Sequence, residues 1–296
     1  MNYRTTGARQ ALIPWLFLFL PLVVYLTIIA YPLVASIVLS FTEWSGMGPA
    51  PRYIGLKNYA FLISTSSILT AIKNNLIWMA LCVPFPALIG FTLAYILRNN
   101  SRINILFRSL FYIPMVISNA VMAIMWLHVY APRHGLIAAF LDIFSLPQFS
   151  KSFLTDPNSA IVAISIIGIW HSIGFPLILY LAAIQDIPQD LIETADLEGA
   201  STWCKIFNII IPFVRHATVI VVALGTILAM KVFDLIYLMT GGYYKNDVMG
   251  TYLWRLAFGH YQMGRASAVA VIQFLMVSAI VIPYLKWQYR TGEIEQ

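Results

Sequence analysis

Apolar positions along the chain gather into long runs. Six stand out, at about 11–41, 75–97, 105–130, 160–183, 217–240 and 266–286. About 20 consecutive apolar residues are enough for a helix to cross roughly 30 Å of hydrocarbon, and the short alternating segments of a membrane barrel are absent. The pattern predicts an all-α membrane protein with six transmembrane helices in one bundle. The third and fifth runs are the least clean. Loops on one side are about 25 to 33 residues long, too short for a separate folded domain. Within them, "GPAPRYIGLKNY" and "SLPQFSKSFLTDPNS" have residues suited to ordered turns and short interfacial helices. No linker, low-complexity tract or repeat interrupts the pattern, so residues 11–296 read as a single transmembrane domain behind a tail at 1–10. Pro84, Pro86, Pro114, Pro176 and Pro283 fall inside the runs. A proline there frees carbonyls and bends the helix, which suits a cavity-lining bundle, although proline is also common in membrane helices generally.

Composition supports this reading. The chain of 296 residues is 60% hydrophobic and 10% charged, against roughly 25% charged in a soluble domain. The first run follows a basic head but is too long for a signal peptide and has no small-residue cleavage pattern, so it reads as an uncleaved first span. With the N-terminus inside, nine Lys and Arg fall on the inner side and eight on the outer, and "LRNNSRINILFR" packs three arginines between two spans. The positive-inside rule therefore favours cytoplasmic termini by a narrow margin. Cys82 lies in an apolar run and Cys204 in a polar one, so no disulfide is expected.

One stretch runs against the basic balance. In "DLIETADLEGASTWCKIFNIIIP" and its lead-in, Asp186, Asp190, Glu193, Asp196 and Glu198 face only Lys205 and Arg215. Asp186 can cap a helix with Gln189 three residues on, and Pro188 suits the first turn. Leu191, Ala195 and Gly199 then share one face, with Asp190 and Glu193 on another, and Gly199 permits a sharp change of direction. Trp203, Phe207 and Ile210 form a second amphipathic segment. Such a loop could be a solvated elbow, or it could dock a partner with a complementary surface.

The same residues carry a resemblance. "ETADLEGA" followed by "IIIP" resembles the E-A-A, Asp-Gly-Ala, I-x-L-P loop of permease subunits of binding-protein-dependent ABC importers. "LAAIQDIPQDLIETA", "FTEW", "YIGLKNY", "FDLIYLMTGG" and "TYLWRLAFGHYQMGRASAVAVIQFL" extend it over most of the chain, towards the first permease of the maltose-type, carbohydrate-importing branch. Thr194 replaces the usual Ala, Glu198 the usual Asp, and "TGGYYKND" lacks the usual third Gly and Pro. The resemblance implies a cytoplasmic coupling helix between helices 4 and 5, in a coupling loop at 184–216. Glu193, Ala195, Asp196, Gly199 and Ala200 would engage an ATPase. It also implies a bacterial inner-membrane location and four partners: a second homologous permease, two copies of the ATPase and an extracytoplasmic sugar-binding protein. No cofactor is implied in this chain, because ATP and Mg belong to the ATPases, and nucleic acid is not an expected partner.

Polar residues within spans are costly in lipid and mark candidate pathways. Lys231 and Asp234 are three apart on the fifth helix and can pair. His171, Ser172 and Phe175 lie at similar depth on the fourth, with Asn119, His128 and Gln273 as further candidates. An ungapped carry-over from the family places the substrate cavity at His171, Ser172, Phe175, Gly225, Leu228 and Val232. Lys231 and Asp234 read either as a structural ion pair or as substrate contacts. If Lys231 is unpaired, an anionic sugar or phosphorylated polyol fits. His171 serves equally as an interhelical hydrogen-bonding group. The chain carries no P-loop, H-E-x-x-H or nucleophile elbow, so hydrolysis would fall to a partner and the chain is not read as an enzyme. The alternative is an ion-coupled secondary transporter of a small polar solute, with bent helices and a Lys/Asp/His proton relay.

Overall fold

The computed structural model describes residues 7–132, 134–144, 153–157, 159–243 and 245–293. In chain order, α1 (Gly7–Tyr25) passes through a π-turn, Leu26–Ala30, into α2 (Tyr31–Leu39). Strands β1 (Thr42–Glu43) and β2 (Arg52–Tyr53) follow, then α3 (Lys57–Ser64), α4 (Ser66–Cys82), α5 (Pro84–Ile96), α6 (Arg102–Val116), α7 (Asn119–Val129) and α8 (Leu136–Ile143). The second half contains α9 (Ala160–Ser172), α10 (Gly174–Gln185), α11 (Gln189–Leu197) and α12 (Thr202–Lys205). After a π-turn, Ile206–Ile210, come α13 (Ile211–Phe213), α14 (Arg215–Met230), α15 (Asp234–Thr240), α16 (Met249–Trp254) and α17 (Met263–Glu293). Among the described residues five helices are long and apolar enough to cross a membrane, or six if the bent pair α6 and α7 counts as one span. Their positions follow the apolar runs of the sequence. Most of "SLPQFSKSFLTDPNS" lies outside the described residues.

The chain divides into two compact units. The first holds Met1–Ser64 and Leu253–Ile272. Its span Phe17–Leu39 has none of its apolar window buried, as befits a helix whose solvent is hydrocarbon. At the end of that span β1 and β2 pair antiparallel, Thr42 opposite Tyr53 and Glu43 opposite Arg52. The buried Asn58 side chain donates to Ser40 O at 2.9 Å and Thr42 O at 2.8 Å, tying α3 to the end of α2.

The second unit holds Thr65–Tyr252 and Gln273–Gln296. Its most extensive helix pairing is α5 on α10, and Gly90 makes that approach possible. A Cβ there would sit 2.6 Å from Pro176 Cβ, so no larger residue fits without moving a backbone. One apolar core joins Trp78, Met122, Ile164, Ile167 and Ile236; a second joins Ala87, Leu177, Tyr180, Ile184 and Val221.

Breaks in the helices set the site. The third span bends by 97° between α6 and α7. Pro114, inside α6, has no N–H for the i−4 carbonyl, and the Ser118 hydroxyl caps α7 by accepting from Val121 N at 3.4 Å. The fifth span stops at Lys231 and restarts at Asp234, with Phe233 at φ −146° and ψ −61° between them. Carbonyls freed by this break are taken up by side chains: Asn75 Nδ2 donates to Ala229 O and Met230 O at 3.3 Å, and Gln273 Nε2 donates to Met230 O. Pro84 opens α5 directly after the break at Val83, whereas Pro283 interrupts nothing and α17 runs through it for 31 residues.

Candidate functional site

The acidic stretch folds as two short helices around a tight turn. Asp186 does not cap α11 but ends α10, and α11 starts after Pro188 with no side-chain cap. The reason lies in Pro188, whose ring sets the chain entry, and in Gln189, whose Nε2 donates instead to Glu193 Oε1 at 2.7 Å. Thr194 Oγ1 donates to Asp190 O at 2.7 Å, which satisfies its hydroxyl within the helix. Gly199 then adopts φ +74°, and the amides of Gly199 and Ala200 return to Asp196 O and Ala195 O at 3.1 and 2.9 Å. A side chain at Gly199 would meet nothing within 4 Å, so the backbone angle, and not space, requires glycine. Ser201 caps α12 by accepting from Cys204 N at 3.2 Å. Asp196 pairs with Lys205 across the turn, closing the two helices on each other.

No residue of α11 is buried. Ile192 and Gln189 look into a groove of about 230 Å³ shared with Tyr95 and Arg98 from the end of α5. Ala195 is half-buried while Leu191 and Gly199, which share its face by spacing, are exposed, so the inward side turns on Ile192 and Ala195. Outward stand Glu193, Asp196 and Gly199, with Leu197 90% exposed and Trp203 70% exposed. Trp203 stacks on Phe207 at 6.0 Å between ring centroids.

The in-span candidates meet at the helix breaks. His171 Nε2 lies 3.3 Å from Ile117 O, the carbonyl at the α6–α7 bend. Asn119, at the start of α7, donates to Asp234 Oδ2 at 3.3 Å. Lys231 and Asp234 form no ion pair. The expected i, i+3 geometry needs a continuous helix, and the break at Val232 and Phe233 removes it. Asp234 instead sits in the first turn of α15, where the helix dipole favours a carboxylate. The Lys231 ammonium is exposed and without an ion-pair partner among the described residues.

The carried-over residues divide. Ser172 ends α9 half-buried, and Phe175 packs against the core that holds Leu177 and Tyr180. Leu228 is 67% exposed. Gly225 instead faces Val83, whose Cγ1 would lie 3.6 Å from an added Cβ, and Val232 packs on the core around Trp78. Of the further candidates, His128 is exposed with Nδ1 2.8 Å from Ile124 O, and Gln273 serves the Met230 carbonyl.

Sequence reasoning missed the adjacent Asn74 and Asn75, both buried. Asn74 Nδ2 donates to Lys245 O at 2.9 Å and Asp247 O at 2.8 Å, holding the irregular "TGGYYKND" segment. Asn75 Oδ1 accepts from Met249 N at 2.7 Å. Two neighbouring amides in an apolar span were the available signal, since such groups need partners in lipid.

Comparison with known proteins fits this geometry. The solved structure of a bacterial alginate ABC transporter in complex with alginate pentasaccharide-bound periplasmic protein contains a chain that superposes with a TM-score of 0.86 at 22% identity, covering 98% of each chain. The probable ABC transporter permease protein YurN of Bacillus subtilis is 31% identical over 97% of this chain and 99% of its own length. The alpha-glucoside transport system permease protein AglF of Rhizobium meliloti is 29% identical over 99% of this chain and 86% of its own. Residues 87–286 match the family model described as binding-protein-dependent transport system inner membrane component. More than half of the chain is covered by that match and nearly all of it by YurN, and the chain therefore belongs to this family of ABC transporter membrane permeases.

Proposed function

We propose that this chain is the translocating subunit of an ATP-driven importer that takes a sugar or sugar derivative from an extracytoplasmic binding protein into the cytoplasm. The substrate class covers oligosaccharides, monosaccharides, polyols and anionic sugars. The observation that carries the reading is α11, a charged helix with no buried residue, fixed by a left-handed Gly199 and an Asp196–Lys205 pair to the start of the next span. In this reading α11 is the coupling helix and seats in a groove of the ATPase, with Glu193, Ala195, Asp196, Gly199 and Ala200 at the contact. With α6 and α7 counted as one of six spans, both termini and α11 lie on the same side, which in this reading is the cytoplasm. Residues 11–296 act as one transmembrane domain with a second homologous permease and two ATPase copies. ATP and Mg stay on the ATPases, and this chain performs no hydrolysis.

ATP binding closes the ATPase pair, and α11 transmits that closure. The short loop supports this, because the Gly199 turn joins α11 to α12, which continues through the π-turn and α13 to α14. The cavity then turns outward, receives substrate and resets on hydrolysis. His171, Ser172, Phe175, Gly225, Leu228, Val232, Lys231 and Asp234 are the proposed pathway residues. A carbohydrate substrate is supported by relatives named for alpha-glucosides, multiple sugars and trehalose/maltose. The test is uptake by the reconstituted assembly over a panel of neutral sugars, polyols and anionic sugars. Transport is expected to need ATP and the binding protein, and a Glu193→Trp substitution on the outward face of α11 is expected to release the ATPase from the solubilised complex. Uptake by the purified chain alone on an ion gradient would overturn the reading and restore the secondary-transporter alternative.

A further inference from the structure

The hairpin region of the first unit contains a cationic pocket that the transport reading does not use. It has a volume of about 300 Å³ and is lined by Arg52 and Tyr53 of β2, Glu43 of β1, Lys57 and Asn58 at the start of α3, and Arg265 of α17, among others. Three cations face one carboxylate there. None of the three forms an ion pair among the described residues, although Arg52 lies opposite Glu43 in the strand register. Arg265 is held in place, with its guanidinium 3.7 Å above the Phe61 ring and Nη1 donating to Gln262 Oε1 at 2.9 Å. A fixed arginine and two further cations against the single Glu43 carboxylate leave the cavity net positive, which favours an anion with several acceptor oxygens.

The position of the pocket selects the anion. The span Phe17–Leu39 ends four residues before Glu43, and the span Met263–Gln288 begins two residues before Arg265. The pocket therefore lies at the level where hydrocarbon meets water. The rim is apolar, with Leu56 66% exposed and Tyr53 75% exposed, and the span Phe17–Leu39 that leads to the pocket exposes its apolar side chains, Val38 among them. An acyl chain can lie along that surface while its headgroup occupies the cations.

We propose that Arg52, Lys57 and Arg265 bind the phosphodiester headgroup of an anionic membrane lipid at the end of the first span. The site depends on the membrane-spanning fold and not on the transport reading. The test is native mass spectrometry of the full chain in detergent, titrated with phosphatidylglycerol and, separately, with phosphatidylcholine. Phosphatidylglycerol is expected to be retained preferentially. Each cation changed to Gln is expected to reduce that retention by about fivefold, while Arg52→Lys, Lys57→Arg and Arg265→Lys together retain it with the same unfolding midpoint. Equal retention of the two lipids, or unchanged retention in Arg52→Gln/Lys57→Gln/Arg265→Gln, overturns the proposal. Full displacement by inorganic phosphate would assign the site to free phosphate and overturn the lipid assignment. Loss of binding-protein association with lipid retention intact would assign it to protein docking and overturn it as well. A Gly199→Val chain that no longer transports still binds the lipid, so failure of the transport reading and failure of the lipid site are distinguishable.

Discussion

The α11 loop and the helix breaks are both rich in polar groups, and they satisfy them in opposite ways. Within α11 and its turn the side-chain bonds are short in sequence, Gln189 to Glu193, Thr194 to Asp190 and Asp196 to Lys205, and long-range ones appear only towards the loop's ends, at Gln185 and Arg215. At the breaks the bonds run far along the chain, Asn75 to Met249 and Ala229, Asn74 to Asp247, His171 to Ile117. Water can complete the loop's hydrogen bonding, whereas lipid cannot complete that of the breaks. α11 and its locally closed turn can shift as one piece without breaking a hydrogen bond to the bundle. A span whose backbone is capped by another helix cannot.

The largest effect is therefore expected at Asn75. Asn75→Leu leaves the buried Met249 amide without its acceptor, and an unpaired buried group costs about 1–3 kcal/mol. The thermal midpoint in detergent and the level in the membrane should both fall; parental values would break the comparison at its strongest point. Next comes Gly199→Val. A left-handed angle costs a non-glycine residue about 1–2 kcal/mol, and at this exposed turn the cost should distort the loop alone. Uptake should be lost at unchanged membrane level. Gly199→Asn, which tolerates that angle, should retain more uptake than Gly199→Val, and equal loss in both would implicate side-chain bulk at an interface instead. Third is Lys231→Gln. If the unpaired ammonium contacts substrate, uptake of an anionic sugar should fall about tenfold, the scale of one charge-assisted hydrogen bond, with a neutral sugar much less affected. Equal falls would return Lys231 to a structural role. The smallest effect is expected for Asp196→Asn, which breaks an exposed pair worth less than about 1 kcal/mol. The melting point should barely move, and a large loss of uptake there would identify the Asp196–Lys205 clasp as a moving part.

Spans were legible in the sequence because hydropathy integrates over about 20 residues. Ala160–Gln185 and Met263–Gln288 lie close to the apolar runs at 160–183 and 266–286. What an averaged hydropathy cannot see is a break that changes direction without changing apolarity. The 97° bend depends on Pro114 and the Ser118 cap, and the break after Lys231 adds no charge beyond the two already counted as a helical pair. Spacing alone therefore puts Lys231 and Asp234 three apart on one continuous face, which the break removes. In the coupling stretch the glycine turn and the two amphipathic segments were legible, because left-handed glycine and helical periodicity are local chemistry, whereas the cap expected at Asp186 was lost to the end of α10. Which face of α11 turns inward was not, since the groove that Ile192 lines is shared with Tyr95 and Arg98, nearly a hundred residues earlier.

The elbow between α6 and α7 has a consequence for bilayer thickness. With 15 residues at about 1.5 Å each, α6 measures roughly 22 Å, short of the ~30 Å hydrocarbon slab. Its Arg102 and Arg108 lie in the first half, so still less of it is fully apolar. The corner at Ile117 and Ser118 thus falls inside the slab, and α7 covers the remaining depth at an angle to α6. A straight span adjusts to a thinner or thicker membrane by tilting, but a bent one must open or close its corner. Lipid chain length then acts on the His171–Ile117 contact before it acts on any straight helix, which makes membrane thickness a mechanical input at the polar centre of the bundle.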